Sequence, residues 1–281
     1  MSIEEIIAQA LAEDIGDGDH TTLSTIPAGA TGRAQLLIKE NGILCGIEVA
    51  RKVFHQVDPS LELEIFLRDG AVVQKGDIAF IVSGKTASIL QSERLVLNFM
   101  QRMSGIATAT RRITDLVKDL PVKLSDTRKT TPLLRQLEKY AVRTGGGINH
   151  RMGLYDMIMI KDNHVDYAGG IAPAIDRVQD YLKKNNRQLK IEIEIRNFAE
   201  LDLALQHGGI DRIMLDNFCI PDLKKAVELI AGRYETEASG GINATNVRDY
   251  ALTGVDFISI GALTHQIKSL DMSLKAMNNK Q

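Results

Sequence analysis

Short apolar runs alternate with longer amphipathic stretches along the second half of the chain, from about residue 120 onward. Runs of strand length separated by patterns of helical length are typical of a parallel β-sheet with helices packed outside it. The runs are VKL (122–124), MIMI (157–160), LKIEIEI (189–195), RIML (212–215), YETEA (234–238) and FISI (257–260). Six such units in succession predict a closed or nearly closed α/β barrel.

The first 115 residues show a different periodicity. Apolar and polar positions alternate in TGRAQLLIKE (31–40), LELEIFL (61–67) and DIAFIVSG (77–84), with turn signals at Asn41-Gly42 and Asp69-Gly70. Alternation with a period of two, interrupted by such turns, predicts β-hairpins. A longer helical stretch then leads into the second half.

The two patterns divide the chain into two predicted domains. An N-terminal domain of β-strands followed by a long helix is expected over residues 1–115, and an α/β-barrel domain over residues 116–267. The C-terminal residues 268–281 are expected to pack on the N-terminal domain.

Composition and charge narrow the classes of function. The chain has 281 residues, of which 44% are hydrophobic, so it can bury a large core and is not a disordered protein. The net charge is −2 and the pI is near 6.3, so no global charge attracts nucleic acid or an anionic membrane. Any site for an anion must therefore come from a local cluster of cations.

Cysteine usage and the N-terminal segment predict a cytoplasmic protein. Cys45 and Cys219 lie far apart without metal-type spacing, which indicates a reducing compartment and no disulfide framework. The segment MSIEEIIAQALAEDIGDGD is acidic and lacks the basic and apolar parts of a secretion signal. No apolar run approaches the ~18 residues of a membrane span.

Polar side chains follow each apolar run of the second half. Because the carboxyl ends of parallel strands meet at one rim, where ligands bind in such folds, we expect these polar segments to converge. They are SDTRKTT after VKL, KDNH after MIMI, Glu194 to Asn197 at the end of EIEI, Asp216-Asn217, Ser239-Gly240-Gly241, and Gly261 to His265.

Cations form the largest group at the predicted rim. They are Arg128, Lys129, His150, Arg151 and Lys161. Arginine side chains grip carboxylate or phosphate with two parallel hydrogen bonds, so the cluster predicts a ligand that carries several negative charges. Taken singly, each cation is typical of a solvated loop; their shared placement favours a binding site.

Glycines form a second group. Ser239-Gly240-Gly241 and Gly261 expose backbone N–H groups ahead of predicted helices, an arrangement that binds phosphate.

Two carboxylates, Glu194 and Asp216, stand among the cations. They would hold Mg²⁺ or sugar hydroxyls, or stabilise a developing positive charge. Glu192 lies two residues before Glu194 and faces the same way along a strand that should be apolar, so both need partners. The role of Glu192 is left open, as is that of His164, which either contacts the ligand or orients the Lys161 loop.

Several segments closely resemble the quinolinate phosphoribosyltransferase family, in order and with compatible spacing from about residue 10 to residue 272. They are LNFMQRMSGIAT, SDTRKTTP, LEKYAV, GGGINHRMGLYDMIMIKDNH, IMLDN, EASGGI and SIGALTH. The resemblance implies a sandwich-like N-terminal α/β domain followed by an open, incomplete TIM-like barrel. The chain departs from the family at Pro132-Leu133, where Pro-Gly is usual, and slightly in EIEIRN.

The resemblance also implies an activity: transfer of phosphoribosyl from 5-phosphoribosyl 1-diphosphate to quinolinate with loss of CO₂, in NAD biosynthesis. The expected catalytic residues are Lys161, Glu194 and Asp216, the last two also being expected ligands of the cofactor Mg²⁺, directly or through water. The expected substrate-binding residues are Arg102, Thr127, Arg128, Lys129, His150, Arg151, Lys161, Ser239, Gly240, Gly241, Gly261 and His265.

Arg102, in QRMSG, resembles the family residue that enters the active site of a neighbouring subunit, which implies a homodimer with shared sites; any higher assembly is left open. Three alternatives are a related protein of molybdenum transport operons, a nicotinate-specific enzyme, and a barrel that senses phosphorylated metabolites without catalysis. The full set of cations favours a dicarboxylate over nicotinate, because a monocarboxylate needs fewer positive groups.

Overall fold

The computed structural model describes residues 1–277, which form two compact units. The first comprises Met1–Arg111, Thr131–Gly146 and the described part of Gln266–Gln281; the second comprises Arg112–Thr130 and Gly147–His265. Residues 278–281, which were expected to pack on the N-terminal domain together with 268–277, lie outside the described part of the chain. No helix within residues 1–277 has both the length and the apolar character needed to cross a membrane.

The first unit combines helices with antiparallel strands. Its helices are α1 (Ile3–Ile15), α2 (His20–Thr25), α3 (Ile47–Val57), α4 (Thr86–Thr114, whose last residues belong to the second unit) and α5 (Arg135–Thr144). Its strands are β1 (Thr31–Ile38), β2 (Gly42–Ile43), β3 (Glu62–Ile65), β4 (Val72–Val73), β5 (Ile78–Lys85) and β12 (Met272–Ala276).

The strand order in the first unit differs from a chain of consecutive hairpins. Four strands form one sheet in the order β12-β1-β5-β3, and β2 pairs with β4 separately. The period-two segments are strands, as predicted, because their alternate residues are buried, for example Ala34, Leu36 and Ile38 in β1. Their pairing is not sequential: β1 joins β5 and the C-terminal strand β12, so the turn signals do not close hairpins between neighbours in sequence.

The second unit contains the remaining elements, in regular alternation. Its strands are β6 (Lys123–Ser125), β7 (Ile158–Ile160), β8 (Ile191–Ile195), β9 (Arg212–Asp216), β10 (Glu235–Ser239) and β11 (Phe257–Ser259). Its helices are α6 (Asp162–Ala168), α7 (Ile171–Lys184), α8 (Phe198–His207), α9 (Ile220–Ile230), α10 (Val247–Ala251) and α11 (Ala262–His265). Every apolar run of the sequence overlaps one of these strands, which confirms the predicted alternation.

All six strands of the second unit belong to one parallel sheet, in the order β6-β11-β10-β9-β8-β7. Within residues 1–277, β6 and β7 at the two edges do not pair with each other, so the barrel is open. A single bridge between Ser125 and Ile148 continues the β6 edge toward the segment that carries His150. The mixed α/β fold with an incomplete parallel barrel is as predicted.

The central strand β8 shows why polar residues in this sheet are informative. All five of its residues, IEIEI, are buried, because a parallel sheet is covered on both faces. The side chains of Glu192 and Glu194 point to one face and those of the isoleucines to the other. A buried carboxylate is costly unless cations or hydrogen-bond donors face it, so this strand alone implies a polar interior.

A turn in the first unit accounts for the departure at Pro132-Leu133. The N–H of Leu134 donates to the carbonyl of Thr131 at 3.1 Å, and Leu133 has a φ of 68°. Proline at the second position and a positive φ at the third define a type II turn, in which glycine is favoured at the third position. Leu133 adopts the left-handed conformation at a cost, and its side chain is 67% exposed and buries little in return.

We expect Leu133→Gly to raise the free energy of unfolding by about 0.5 kcal/mol. Relief of left-handed strain, about 1–2 kcal/mol, exceeds the extra entropy that glycine loses on folding, about 0.5–1 kcal/mol. The matched control is Leu134→Gly, because Leu134 has a φ of −90° and no strain to relieve; it should lower the free energy of unfolding by about 0.5–1 kcal/mol. Urea unfolding of both variants checks the prediction, and equal destabilisation of the two would contradict it.

Candidate active site

The carboxyl ends of the six parallel strands carry nearly all the residues that the sequence singled out. By strand they are Thr127, Arg128 and Lys129 after β6, Lys161 after β7, Glu194 in β8, Asp216 in β9, Ser239, Gly240 and Gly241 at the end of β10, and Gly261 and His265 after β11. His150 and Arg151 precede β7, on the segment bridged to β6. The rim of one sheet therefore holds every predicted site residue of the second unit.

Two arginines of the rim lie close together. Arg151 is 9% exposed, and its Nη1 donates to the carbonyl of Met157 at 3.1 Å. Burial and the charge of Arg128 lower the pKa of Arg151 below its ordinary value, against the opposing effect of Glu192 and Asp156. Arg151 is thus a nearly buried cation that the exposed Arg128 repels, and an anionic ligand would neutralise this positive charge.

His150 has protein partners at both ring nitrogens. Nε2 lies 2.9 Å from Oε2 of Glu192 and 3.4 Å from Oε2 of Glu237. Nδ1 accepts the main-chain N–H of Arg151 at 2.8 Å, while the N–H of His150 itself donates to Asp126 at 2.9 Å. A direct bond from either ring nitrogen to a substrate would require one of these interactions to break.

The two carboxylates also act on the charge of His150. Burial lowers the pKa of His150, but Glu192 and Glu237 more than offset this and raise it to about 9. A second proton would have to sit on Nδ1, where the amide hydrogen of Arg151 already points. The hydrogen bond at Nδ1 thus corresponds to the ring with its proton on Nε2, directed at the carboxylates.

Two carboxylates of the rim, those of Glu194 and Asp216, lie near Lys161. Nζ of Lys161 lies 3.6 Å from Oε2 of Glu194, and its main-chain N–H donates to Nδ1 of His164 at 2.9 Å. His164 thus orients the Lys161 loop. Burial raises the pKa of Glu194, as do the charges of Asp216 and Asp162, against the opposing effect of Lys161. Neighbouring carboxylates faced by one lysine would be stabilised by a divalent cation.

The turn after β10 is closely packed against the end of β9. The N–H of Asn217 donates to the carbonyl of Ser239 at 2.8 Å, and its side-chain amide donates to Asp216 at 2.5 Å. Gly240 has a φ of 101°, and a Cβ at this position would overlap the Asn217 side chain and lie 2.9 Å from its backbone nitrogen. Glycine is therefore required for this close approach.

The N–H groups of Gly240 and Gly241 donate no hydrogen bond to any acceptor within residues 1–277. The helix predicted after these glycines is α10, which begins at Val247 and not directly behind Gly241. The amides alone, rather than a helix dipole, make this turn suited to phosphate.

Gly261 lies where the loop after β11 meets the loop after β6. A Cβ on Gly261 would lie 3.0 Å from Cδ of Lys129 and 3.1 Å from Nε2 of His265, which places the three residues together. Oγ1 of Thr264 donates to the carbonyl of Lys129 at 2.7 Å, and Lys129 N–H donates to Oγ1 of Thr127 at 3.0 Å. The loop after β6 and the loop after β11 are thus held side by side.

Three residues of the site region were missed in the sequence. Asp126 is fully buried and accepts hydrogen bonds from the N–H of His150 and, at 2.6 Å, from the side chain of Asn149. Glu237 is fully buried beside His150, and Arg212 donates to it at 3.0 Å. The alternation of Glu235 and Glu237 in YETEA repeats that of Glu192 and Glu194 and was the available signal.

Arg102 belongs to the first unit, on α4. Its Nε donates to Oε1 of Glu138 at 2.8 Å and its Nη2 to Oγ1 of Thr131 at 2.7 Å. Glu138 is 1% exposed, so the guanidinium balances a buried charge of its own chain. The role predicted for Arg102 in a neighbouring subunit stays a prediction.

Both parts of the chain are similar to known proteins. Residues 19–104 match the model of the quinolinate phosphoribosyl transferase N-terminal domain, and residues 106–275 match that of the C-terminal domain. A Nicotiana tabacum protein described as quinolinate phosphoribosyltransferase [decarboxylating] 1b is 47% identical over 288 residues, covering 97% of this chain and 82% of its own length.

Two bacterial proteins agree with this match. A Bacillus subtilis protein described as a probable nicotinate-nucleotide pyrophosphorylase [carboxylating] is 41% identical, covering 98% of this chain and 93% of its own. The crystal structure of NadC from Streptococcus pyogenes superposes with a TM-score of 0.93 at 37% identity, covering 98% of this chain and 97% of its own. By sequence over both domains and by fold, the chain belongs to the quinolinate phosphoribosyltransferase family.

Proposed function

We propose that the protein transfers phosphoribosyl from 5-phosphoribosyl 1-diphosphate to quinolinate with decarboxylation, giving nicotinate mononucleotide, CO₂ and diphosphate, as a step of NAD biosynthesis. The observation that carries the proposal is the nearly buried Arg151 at the rim of the barrel, with the exposed cation Arg128 near enough to lower its pKa. A pyridine dicarboxylate supplies the charge that this pair lacks. The names of the related proteins support the same reaction.

The rim offers separate places for the two substrates. Arg128, Lys129 and Arg151 would bind the carboxylates of quinolinate, since arginine matches their geometry. The free amides of Gly240 and Gly241 would bind the phosphate of the sugar, with Ser239, Gly261 and His265 around it. Lys161, next to Glu194, would lie between the pyridine and the diphosphate.

The chemistry follows from these positions. Diphosphate leaves C1 of the ribose through a transition state with oxocarbenium character, which the carboxylates of Glu194 and Asp216 stabilise, while Lys161 offsets the charge on the departing group. The pyridine nitrogen then forms the bond to C1. Its ring, now cationic, stabilises the electron pair left on the ring carbon when the adjacent carboxylate leaves as CO₂. A proton from solvent then forms the C–H bond at that carbon, so this step depends chiefly on positioning.

Glu194 and Asp216 fit a magnesium ion. Hard carboxylate oxygens suit Mg²⁺, and the raised pKa of Glu194, caused by burial and by the charges of Asp216 and Asp162, reflects negative charge that a divalent cation would offset. A bound Mg²⁺ would neutralise charge on the diphosphate.

We propose a homodimer in which Arg102 completes the site of the neighbouring subunit, and a cytoplasmic location. The family resemblance of the segment QRMSG supports the first proposal. The second rests on the two cysteines, which are both free. Plant relatives are described as chloroplastic or mitochondrial.

Two alternatives keep the fold but change the ligand: nicotinate as acceptor, or a substrate of a molybdenum transport operon protein. A third is a non-catalytic sensor of phosphorylated metabolites. A sensor has no need of Glu194 and Asp216 beside the anion site, and nicotinate needs fewer cations than Arg128, Lys129 and Arg151 supply.

Release of diphosphate from 5-phosphoribosyl 1-diphosphate, measured with quinolinate, with nicotinate and with neither, tests the function. We expect release only with quinolinate, together with one CO₂ per diphosphate, because a monocarboxylate leaves one arginine unneutralised. Equal rates with nicotinate would contradict the dicarboxylate assignment. Tight binding of quinolinate without turnover would favour the sensor.

Gly240→Ala and Gly241→Ala form a matched pair at the turn after β10. Both glycines have positive φ, but only at Gly240 does an added Cβ meet the Asn217 side chain; at Gly241 nothing lies within 4 Å. We expect Gly240→Ala to lower kcat/KM for 5-phosphoribosyl 1-diphosphate about a hundredfold and Gly241→Ala less than tenfold, because a misplaced phosphate site misaligns C1. Steady-state kinetics with the sugar substrate varied would measure both, and equal losses would show that strain alone matters.

Mixed dimers test the shared site. Arg102→Ala should abolish turnover and leave the dimer intact. Mixed and reassembled with Lys161→Ala, it should recover roughly a quarter of wild-type activity, because half of the dimers are hybrids with one intact site. The control mixes Lys161→Ala with Glu194→Ala, which both act in their own chain and should show no recovery. Absence of recovery in the first mixture would argue against sharing.

A further inference from the structure

Four ionisable side chains form what we term the buried cluster: His150, Glu192, Arg212 and Glu237. The last three belong to strands β8, β9 and β10, and His150 lies on the segment before β7. Glu192 and Glu237 are both fully buried. Arg212 donates to Glu237 at 3.0 Å and lies over the ring of Phe257 at 3.8 Å from its centroid. The proposed reaction uses none of these groups at the reacting atoms.

Within the buried cluster, Glu192 faces the imidazole of His150. Glu192 also lies opposite Arg212 in the β8–β9 register, but within residues 1–277 neither of its oxygens accepts a well-aligned hydrogen bond. Its Oε2 lies 2.9 Å from Nε2 of His150, the nitrogen that carries the ring proton. A buried carboxylate without donors is costly, so Glu192 and the ring hold each other in place.

Three members of the buried cluster, His150, Glu192 and Glu237, are close enough together to surround a metal ion. A metal at Nε2 would require the single proton of a neutral ring to sit on Nδ1. Nδ1 instead accepts the N–H of Arg151 at 2.8 Å, which leaves no room for a second hydrogen. The arrangement therefore fits a proton on Nε2, shared with the carboxylates, better than a metal ion.

The buried cluster connects upward to the substrate-binding arginine. The N–H of His150 is fixed by Asp126, and its ring accepts the N–H of Arg151. The guanidinium of Arg151 in turn donates to the carbonyl of Met157 at 3.1 Å. If the ring rotated, the main-chain N–H of Arg151 would lose its acceptor. The backbone that carries the guanidinium would then no longer be fixed by this hydrogen bond.

We propose that Glu192 and Glu237 are positioning residues for the dicarboxylate substrate: by fixing the imidazole of His150 they hold Arg151 in place for quinolinate. His150 then acts on the substrate through Arg151. The inference rests on the proposed function, since it assigns quinolinate to Arg151.

Calorimetric titration of the full-length protein with quinolinate, and separately with 5-phosphoribosyl 1-diphosphate, tests the proposal in Glu192→Gln and Glu237→Gln. We expect quinolinate to bind about tenfold more weakly in each, because the imidazole that supports Arg151 would lose a charged neighbour. Affinity for the sugar substrate should change by less than about twofold, because its glycine turn lies on another part of the rim. Weakening of both ligands alike would indicate general damage and overturn the proposal.

Glu235→Gln is the matched control. Glu235 lies in the same strand as Glu237 and also accepts from Arg212, at 3.0 Å, but it is half-exposed and its second ion pair is with Lys190. It should leave both affinities within about twofold of wild type. Glu192→Asp retains the charge and should keep most of the affinity; should Glu192→Gln fail to fold, this variant and Glu237→Gln carry the test.

A double-mutant cycle shows whether the effect passes through Arg151. In an Arg151→Lys background, Glu192→Gln should weaken quinolinate binding by less than about twofold further, and additive losses would overturn the proposal. A stoichiometric transition metal in the purified wild-type protein that is lost in Glu192→Gln would overturn it in favour of a metal site. Absence of quinolinate binding to the wild type would refute the proposed function itself; wild-type affinity in both glutamine variants would refute only the positioning role.

Discussion

Repulsion between the nearly buried Arg151 and the exposed Arg128 is the constraint on which the site depends. Arg128 and Arg151 lie at the ends of neighbouring segments of an open parallel barrel, and burial together with the charge of Arg128 lowers the pKa of Arg151. Like charges at such a position persist only if the fold fixes them and a ligand neutralises them. The barrel supplies the fixing, through Asp126, His150 and the bridge from β6 to residue 148. The ligand would neutralise the two arginines, so a dicarboxylate would gain favourable binding free energy at this position.

The rest of the rim complements this positive region. In the proposed complex, the carboxylates of Glu194 and Asp216 would lie near the sugar carbon that develops positive charge. The amides of Gly240 and Gly241, which have no acceptor within residues 1–277, would bind a phosphate. Each group would then face a part of the two substrates with the opposite charge, so substrate binding and stabilisation of the transition state would use the same electrostatic arrangement.

Much of this could be predicted from the sequence, because parallel barrels bring strand ends together irrespective of what the loops contain. The apolar runs located all six strands, and the glutamates of IEIEI stood out because a doubly covered strand has no other reason to be polar. Arg212 and Glu237 were missed because their contact depends on the register between β9 and β10, which periodicity does not fix. The occupied Nδ1 of His150 depends on local backbone geometry, which no pattern of residue types encodes.

In the first unit, strand positions followed from alternation, whereas the pairing of β1 with β5 and β12 did not, since contacts between distant segments leave no local signal. The central claim, that Arg151 and Arg128 together form a dicarboxylate site, is tested most directly by calorimetric titration of Arg151→Gln with quinolinate. The account predicts an affinity about a hundredfold below that of the wild type, since one carboxylate would lose its nearly buried charge partner. An affinity within about twofold of the wild type would contradict it.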